Sequence, residues 1–583
     1  MGSPQSEGPG AQPIHDAGSF SETSWLDSLP GESIRQLRDQ AESIFLEAGE
    51  WLFHEGDEAD CAYLVQSGRV QVVSDGRVVR TARRGGVIGE LALLTGGTRT
   101  ASVLAQRDCH LWRLGRTAFE ELIVVDQRFA LALCRVLGGK LAEHRSPVAR
   151  SQPPGTIAIV ALDAGVSTDD VAVRLGTELA PFGRTAILRS GEVASDADHV
   201  AVIERAETES RWVVLSAGNR RHDRWTDTCL AEADRVIALS WGRPASEWMA
   251  RGPSLRGCEL LIFGPSVGDA LLRILEPRTV QTLPDDTMIR RCLALAARRL
   301  SGRAVGLVFS GGGARAFAHL GVVEALRAEG VRIDRVGGVS MGALVAGTVA
   351  MEMDDTTILQ TFRRSFVDQN PSGDYTLPAF SLVRGLRTRR LLAEAFGDTA
   401  IETLPVRFFC VSTDLNSRAS VIHRTGSLPE AIFASLAVPG VFPPVATPDG
   451  HLLVDGGVLD NLPVEAMAAD AEGPVIAVDV SRGQMWRTGR RRPASSWQVR
   501  ARRLISGQDA ELPRVAETML RTLAVGSSDT VAAARRHADV VITPSVERAG
   551  LLDWKQLPQM RDAGRESVRR LLETNPDALN GCL

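Results

Sequence analysis

Short apolar runs alternating with polar positions dominate the chain between residues 25 and 144. Tyr63-Leu64-Val65 and Val70-Gln71-Val72-Val73 lie between glycine turns, and their period of two predicts strands. A short helical stretch after Trp25 opens this unit. The strands predict a small β-barrel or jelly roll, and the apolar face of Phe129–Leu141 predicts a closing helix. Residues 1–24 are poor in apolar positions and rich in Gly, Ser and Pro, which predicts a disordered leader. Arg145–Gly155 carries three prolines and reads as a linker.

From Thr156 the pattern changes to continuous apolar runs separated by helical periodicity. Thr156–Leu162, Trp212–Leu215, Arg235–Leu239 and Glu259–Phe263 predict buried parallel strands, with the unit ending near Pro277. Met288–Leu300 predicts a helix leading into a third unit that begins at Ala304 and again alternates strands and helices. The expectation is a multidomain chain: a jelly roll over 25–144, an α/β unit over 156–277 and a second α/β unit over 304–583.

Composition narrows the choices. The chain has 583 residues, 44% of them hydrophobic, enough for several cores. A formal net charge of −5 argues against a nucleic-acid binder. Cys61, Cys109, Cys134, Cys229, Cys258, Cys292, Cys410 and Cys582 are scattered, with no CxxC pair and no histidine at zinc spacing. This predicts neither a disulfide framework nor a metal site, and a reducing, cytoplasmic setting. No apolar run reaches the ~20 residues that span a bilayer, so membrane contact is expected to be peripheral.

Candidate chemistry starts at Gly338-Val339-Ser340-Met341-Gly342, which fits G-x-S-x-G between a strand-like and a helical run. A sharp strand-to-helix turn of this kind presents a nucleophilic serine. The pentapeptide alone is equally an ordinary glycine-rich turn. Two further features support it. Ser310-Gly311-Gly312-Gly313-Ala314-Arg315 follows a strand, and backbone N–H groups of such a loop can hold an oxyanion, with Arg315 fixing the loop or adding positive potential. Leu452-Leu453-Val454 delivers Asp455 into a Gly-Gly turn, where it could act as general base. A dinucleotide-binding loop, with Asp334 as the ribose-binding acid, is the rival reading of the glycines.

These motifs, with Ser435-Leu436-Ala437-Val438-Pro439-Gly440-Val441-Phe442-Pro443-Pro444 and Asp460-Asn461-Leu462-Pro463, resemble the patatin-like phospholipase family over roughly 304–480. The resemblance implies a Ser–Asp dyad without a catalytic histidine, Ser340 being the nucleophile and Asp455 the base. It places the oxyanion hole on the backbone of Gly311, Gly312 and Gly313. Ala316 departs from the glycine usual in the family. A Ser-His-Asp triad is the alternative mechanism, although His319 and His451 both read as structural.

Upstream, Gly89-Glu90-Leu91-Ala92-Leu93-Leu94 and Arg99-Thr100-Ala101-Ser102-Val103 suit a cyclic nucleotide. Arg99 can meet the phosphate and Glu90 the ribose hydroxyl, with Gly89, Leu91 and Thr100 lining the loop. With Gly56-Asp57 and Ser67-Gly68-Arg69-Val70, this cassette resembles the cyclic nucleotide-binding domain. It implies cAMP or cGMP as a regulatory ligand, with no cofactor required for hydrolysis, and an apolar lid from the helix around Phe129–Leu137.

The middle unit lacks the second Gly and the Lys of a P-loop. Its segment Trp225-Thr226-Asp227-Thr228-Cys229, with Ala233-Asp234, resembles the neuropathy target esterase branch of patatin-like proteins. That branch implies phospholipid or lysophospholipid substrates. Arg487, Arg490, Arg491, Arg492, Arg500, Arg502 and Arg503, interleaved with Trp486 and Trp497, read either as a headgroup-binding patch or as a solvated insertion. The expected activity is lipid acyl-ester hydrolysis. The alternative is a catalytically silent, nucleotide-responsive scaffold. Oligomeric state is left open.

Overall fold

The computed structural model describes residues 39–47, 49–74, 77–82, 86–107, 109–125, 130, 133, 155–163, 165–193, 198–218, 223–242, 248, 255, 257–264, 269–283, 285–369, 373–377, 381–481, 526–547, 549–551 and 553–583. The expected leader, most of the linker, nearly all of the lid helix and the arginine-rich stretch after Trp486 lie outside these residues.

The first unit consists of two antiparallel four-stranded sheets. One runs in the order Glu42–Leu46, Cys109–Gly115, Cys61–Ser67, Val87–Ile88. The other runs Trp51–Phe53, Ser102–Ala105, Val70–Ser74, Arg77–Ala82. Cys61, Val65, Val70, Val103 and Leu111 fill the core as the inward residues of alternating strands. This is the jelly roll that the period-two pattern predicts.

The middle unit is a six-stranded parallel sheet in the order Thr185–Arg189, Trp212–Gly218, Thr156–Ala161, Arg235–Ser240, Glu259–Ile262, Thr279–Thr282. Its central strand Thr156–Ala161 is buried throughout. Ile157 and Ile159 pack into one core, and Ala158 and Val160 into the other. Helices cover both faces, so the apolar run is continuous rather than alternating. The sheet does not stop at Pro277: Thr279–Thr282 adds a sixth strand. The helix Asp286–Leu300 packs Cys292, Leu293, Ala296 and Ala297 into the core of this unit rather than starting the next. Thr185–Arg189 also escapes the sequence pattern, because an edge strand with five half-buried residues carries little apolar signal.

Buried charge joins the units. Arg69 and Arg107 of the jelly roll meet Asp234, Glu232 and Glu207 of the middle unit, and the Asp234 side chain is fully buried. Asp234 also accepts from the N–H groups of Gly155 and Thr156, at 2.8 and 3.1 Å. Burial pushes its pKa up, but Arg69, Arg107 and these amides outweigh burial and hold it below the usual carboxylate range. On the far side, Arg299 meets Glu259 at 2.6 Å and Glu472 at 3.6 Å, while Arg278 meets Asp470 at 2.7 Å.

The third unit is built on an eight-stranded sheet. The strands Arg407–Asp414, Arg335–Val339, Gly306–Phe309, Val475–Val478 and Val540–Ile542 run parallel in that order. Leu452–Asp455 and Ala419–His423 pair antiparallel with Arg407–Asp414, and Val445–Ala446 extends the Leu452 edge. The helix Met341–Ala350 is buried on every side, as its uniformly apolar sequence requires. The helix Leu557–Thr574 packs on Ala318–Ala328, where Glu324 bridges Arg561 and Arg565. No helix among the described residues is long and apolar enough to cross a membrane.

Candidate active site

Ser340 lies between the strand Arg335–Val339 and the helix Met341–Ala350, with φ 56° and ψ −128°. A non-glycine residue in this region is strained, and such strain concentrates at functional turns. The flanking glycines have a steric cause. A Cβ on Gly342 would lie 2.6 Å from the Phe309 and Ser310 carbonyl oxygens, and one on Gly338 would lie 2.6 Å from the Gly342 carbonyl. The Ser340 N–H donates to Ser435 Oγ at 2.9 Å, and Ser435 in turn donates to the Val411 carbonyl at 2.7 Å. The turn is therefore tied to the neighbouring helix and strand.

Asp455 ends its strand with its carboxyl buried beside the Ser340 hydroxyl, which favours the ionised form. Its Oδ1 also accepts from the Gly457 N–H at 2.8 Å. Burial raises its pKa to about 6, and the Ser340 hydroxyl and the Gly457 N–H only partly oppose this. Asp460 nearby is likewise raised to about 6 by burial.

The glycine loop packs directly on this pair. A Cβ on Gly311 would lie 2.5 Å from Asn461 Oδ1 and 3.2 Å from Ser340 Cβ. Asn461 laces the loop to the Asp455 turn: its carbonyl accepts from the Gly311 N–H at 3.3 Å, and its Nδ2 donates to the Gly311 carbonyl at 3.4 Å. The Gly311 N–H is thus engaged, whereas those of Gly312 and Gly313 have no acceptor among the described residues. Of the three glycines expected to supply oxyanion donors, Gly311 is the one whose N–H already has a partner. Arg315 is buried, and its Nε donates to the Ala549 carbonyl at 2.9 Å. This bond ties the glycine loop to the segment at Ala549. Ala316 is fully buried in the turn that follows.

The histidines are engaged elsewhere. His319 is fully buried, its Nε2 is 2.9 Å from the Ser310 carbonyl, and burial lowers its pKa to about 4. His423 pairs with Ser412 at 2.7 Å and His451 with Asp414 at 2.9 Å. Asp334, the rival ribose-binding acid, is occupied by Arg298 Nε at 2.8 Å and the Val305 N–H at 2.9 Å. The dinucleotide reading therefore has no free acid.

An apolar cavity opens beside Ser340, walled by Gly313, Met341, Leu344, Phe362, Phe366, Leu391, Leu392, Phe396, Leu436, Val438, Val441, Phe442 and Trp554. Sequence reasoning missed this cavity and the roles of Ser435, Asn461 and Trp554. One signal was available: Ser435 is the only polar position in Ala431–Val438, a run that the helical pattern turns inward.

In the jelly roll, Glu90 is buried at the start of the helix Glu90–Thr95, after Gly89 in the left-handed region at φ 78°. Arg99 is buried too, with its guanidinium carbon 4.2 Å from the centre of the Phe53 ring. Its Nη1 donates to the Cys61 and Gly89 carbonyls at 2.8 and 3.3 Å, while its Nε has no partner among the described residues. Leu91, on this helix, and Thr100, directly after Arg99, are exposed. Glu90 and Arg99 thus flank one turn, and the orphan Nε suits an anionic acceptor.

Residues 307–468 match the patatin-like phospholipase family and residues 43–126 the cyclic nucleotide-binding domain. Fold and site together define a patatin-like ester hydrolase carrying a cyclic nucleotide-binding domain. An uncharacterized NTE family protein of Mycobacterium bovis is 33% identical over 95% of both chains. Patatin-like phospholipase domain-containing protein 6 of Mus musculus is 26% identical over 91% of this chain and 45% of its own length. Lysophospholipase nte1 of Emericella nidulans is 24% identical over 90% of this chain and 41% of its own. The chain belongs to the NTE family, and it spans under half the length of the mouse and fungal relatives.

Proposed function

We propose that the chain hydrolyses acyl esters of lysophospholipids or phospholipids through a Ser340–Asp455 dyad. The observation that carries this reading is the buried Asp455 carboxyl set beside the hydroxyl of the strained Ser340, at the wall of an apolar cavity. In the first half-reaction Ser340 Oγ attacks the ester carbonyl while Asp455 takes its proton. The Gly312 and Gly313 N–H groups stabilise the oxyanion. Collapse expels the glycerol-side alcohol, which leaves with the proton from Asp455. A water molecule then gives its proton to Asp455 and attacks the acyl-serine, and Ser340 recovers the proton as the fatty acid departs. The cavity takes the acyl chain, whose apolar surface matches its lining.

Cyclic nucleotide is proposed to act at Gly89, Glu90, Leu91, Arg99 and Thr100. Its phosphate would draw the Arg99 guanidinium away from the Cys61 and Gly89 carbonyls. The Arg69–Asp234 and Arg299–Glu472 clusters would be the physical connection to the hydrolase unit. Peripheral membrane contact is part of the same reading.

The test is a lipid-ester panel with fluorophosphonate labelling, comparing wild type with Ser340→Ala and Asp455→Asn. Labelling that persists in Ser340→Ala would sink the nucleophile assignment. For the sensor, thermal stability and turnover are measured with cAMP and cGMP in wild type and Arg99→Gln. Absence of any response in wild type rejects nucleotide regulation.

A further inference from the structure

The rim beside the acyl cavity combines apolar exposure with unpaired positive charge. Leu377 is 88% exposed, Tyr375 72% and Leu386 63%, the three lying within twelve residues of one another. Most other exposed apolar side chains are scattered over separate units, as on any soluble surface. These three are held together by backbone pairing. Tyr375 bridges Val383, the Thr376 N–H donates to the Leu382 carbonyl, and the Arg384 N–H donates to the Asp374 carbonyl.

The same segment is continuous with the cavity wall. The N–H groups of Leu382 and Val383 donate to the carbonyls of Gly440 and Val441, and Val441 lines the cavity. Leu386 opens the helix Leu386–Phe396, whose Thr388, Leu391 and Leu392 face the cavity.

Charge points the same way. Arg389 is paired with Glu430, and Arg390 with Glu394 at 2.9 Å. Arg384 and Arg387 are exposed and have no ion-pair partner among the described residues. Asp374, whose backbone carbonyl accepts from the Arg384 N–H, uses one carboxylate oxygen on the Arg387 backbone N–H at 3.2 Å. Exposed aliphatic and aromatic side chains beside free guanidinium groups suit the headgroup–acyl boundary of an anionic bilayer.

We propose that Tyr375, Leu377 and Leu386, with Arg384 and Arg387, form the surface on which the hydrolase unit docks onto an anionic phospholipid bilayer, setting the cavity against the lipid. This rests on the lipid-hydrolase reading and deepens it. The apolar trio enters the interface and the two arginines hold anionic headgroups.

The experiment uses the full chain carrying Ser340→Ala, so that binding is read without hydrolysis. Co-sedimentation is measured with vesicles of phosphatidylcholine alone and of phosphatidylcholine mixed with phosphatidylglycerol. The parent is expected to bind the mixed vesicles better. Tyr375→Ser/Leu377→Ser/Leu386→Ser should lower its partition by about tenfold or more, since each large apolar side chain contributes a substantial transfer free energy. Arg384→Gln/Arg387→Gln should remove most of the phosphatidylglycerol preference and flatten the salt dependence.

In the Ser340 background, turnover of a soluble short-chain ester should stay within about twofold of wild type for both variants. Wild-type binding by the apolar triple variant, or failure of the parent to bind either vesicle, overturns the surface. Loss of soluble-ester turnover in wild type itself would instead reject the hydrolase reading, so the two failures are distinguishable.

Discussion

Asp455→Asn should inactivate the enzyme and stabilise it at once, and the two effects have one cause. Burial lifts the Asp455 pKa from 3.8 to about 6, so the folded state holds this proton more tightly than the unfolded chain does. The sign follows from linkage. The protonated carboxyl contributes its full stability below pH 3.8. That contribution falls as pH rises and is lost once pH passes about 6. At about 1.36 kcal/mol per tenfold change in proton affinity, ionised Asp455 costs the native state roughly 3 kcal/mol at pH 7.5. Asparagine is neutral at every pH, and its carbonyl can keep the 2.8 Å hydrogen bond from the Gly457 N–H. The assay is thermal unfolding of both proteins from pH 4 to pH 8, following the transition of the hydrolase unit. The variant should unfold several degrees higher at pH 7.5, at a few degrees per kcal/mol for a unit this size, and the gap should close toward pH 4. Turnover should fall by about 10³-fold or more. A gap that is absent, reversed or independent of pH refutes the desolvated-carboxylate account, and retained turnover refutes the dyad.

The pH–rate profile of kcat/KM should rise through about pH 6 as Asp455 ionises, and a flat profile from pH 5 to 8 would count against Asp455 as base. His319→Gln, which can still bond the Ser310 carbonyl, should retain turnover within about tenfold, whereas a fall of about 10³-fold in a folded protein would revive the triad. Ser435→Ala removes the partner of both the Ser340 N–H and the Val411 carbonyl, so unfolding free energy should drop by roughly 1–3 kcal/mol in urea titration, with kcat falling more than KM rises. Arg69→Ala leaves Asp234 buried without its principal cation; calorimetry should show a loss of about 3–5 kcal/mol, partly restored by adding Asp234→Asn.

The parts legible in the sequence are those where local geometry dictates residue type. Gly338 and Gly342 are forced by close backbone approach around Ser340, and Asp455 by a strand that runs into a glycine turn. The jelly roll and the central parallel strands were legible because a buried strand must show its period or its continuous apolar run. What remained hidden depends on distant pairing. Trp554 reaches the cavity from a segment more than two hundred residues beyond Ser340, and helical periodicity says only that a face is buried, not that it borders a void. In the sequence Arg69 stands out only as part of Ser67-Gly68-Arg69-Val70, and only the fold reveals that it lies 3% exposed against Asp234. The engagement of the Gly311 N–H was likewise out of reach, since its partner Asn461 lies in a separate motif with no recognisable sign of the contact.

The site concentrates two costs in one place: a serine with positive φ and a carboxylate denied water. Neither would persist on a mobile loop, because relaxing the turn or admitting water would relieve it. Here the helix after Ser340 is buried along its whole length, and the strand before it is central in the sheet. Ser435 then fastens the turn with its side chain, and Asn461 fastens the glycine loop with both its backbone carbonyl and its side chain. The strain is therefore carried by the most deeply packed part of the hydrolase unit. Substitutions that loosen Ser435 or Asn461 should lower turnover before they unfold the chain, since the apolar core beneath them is untouched.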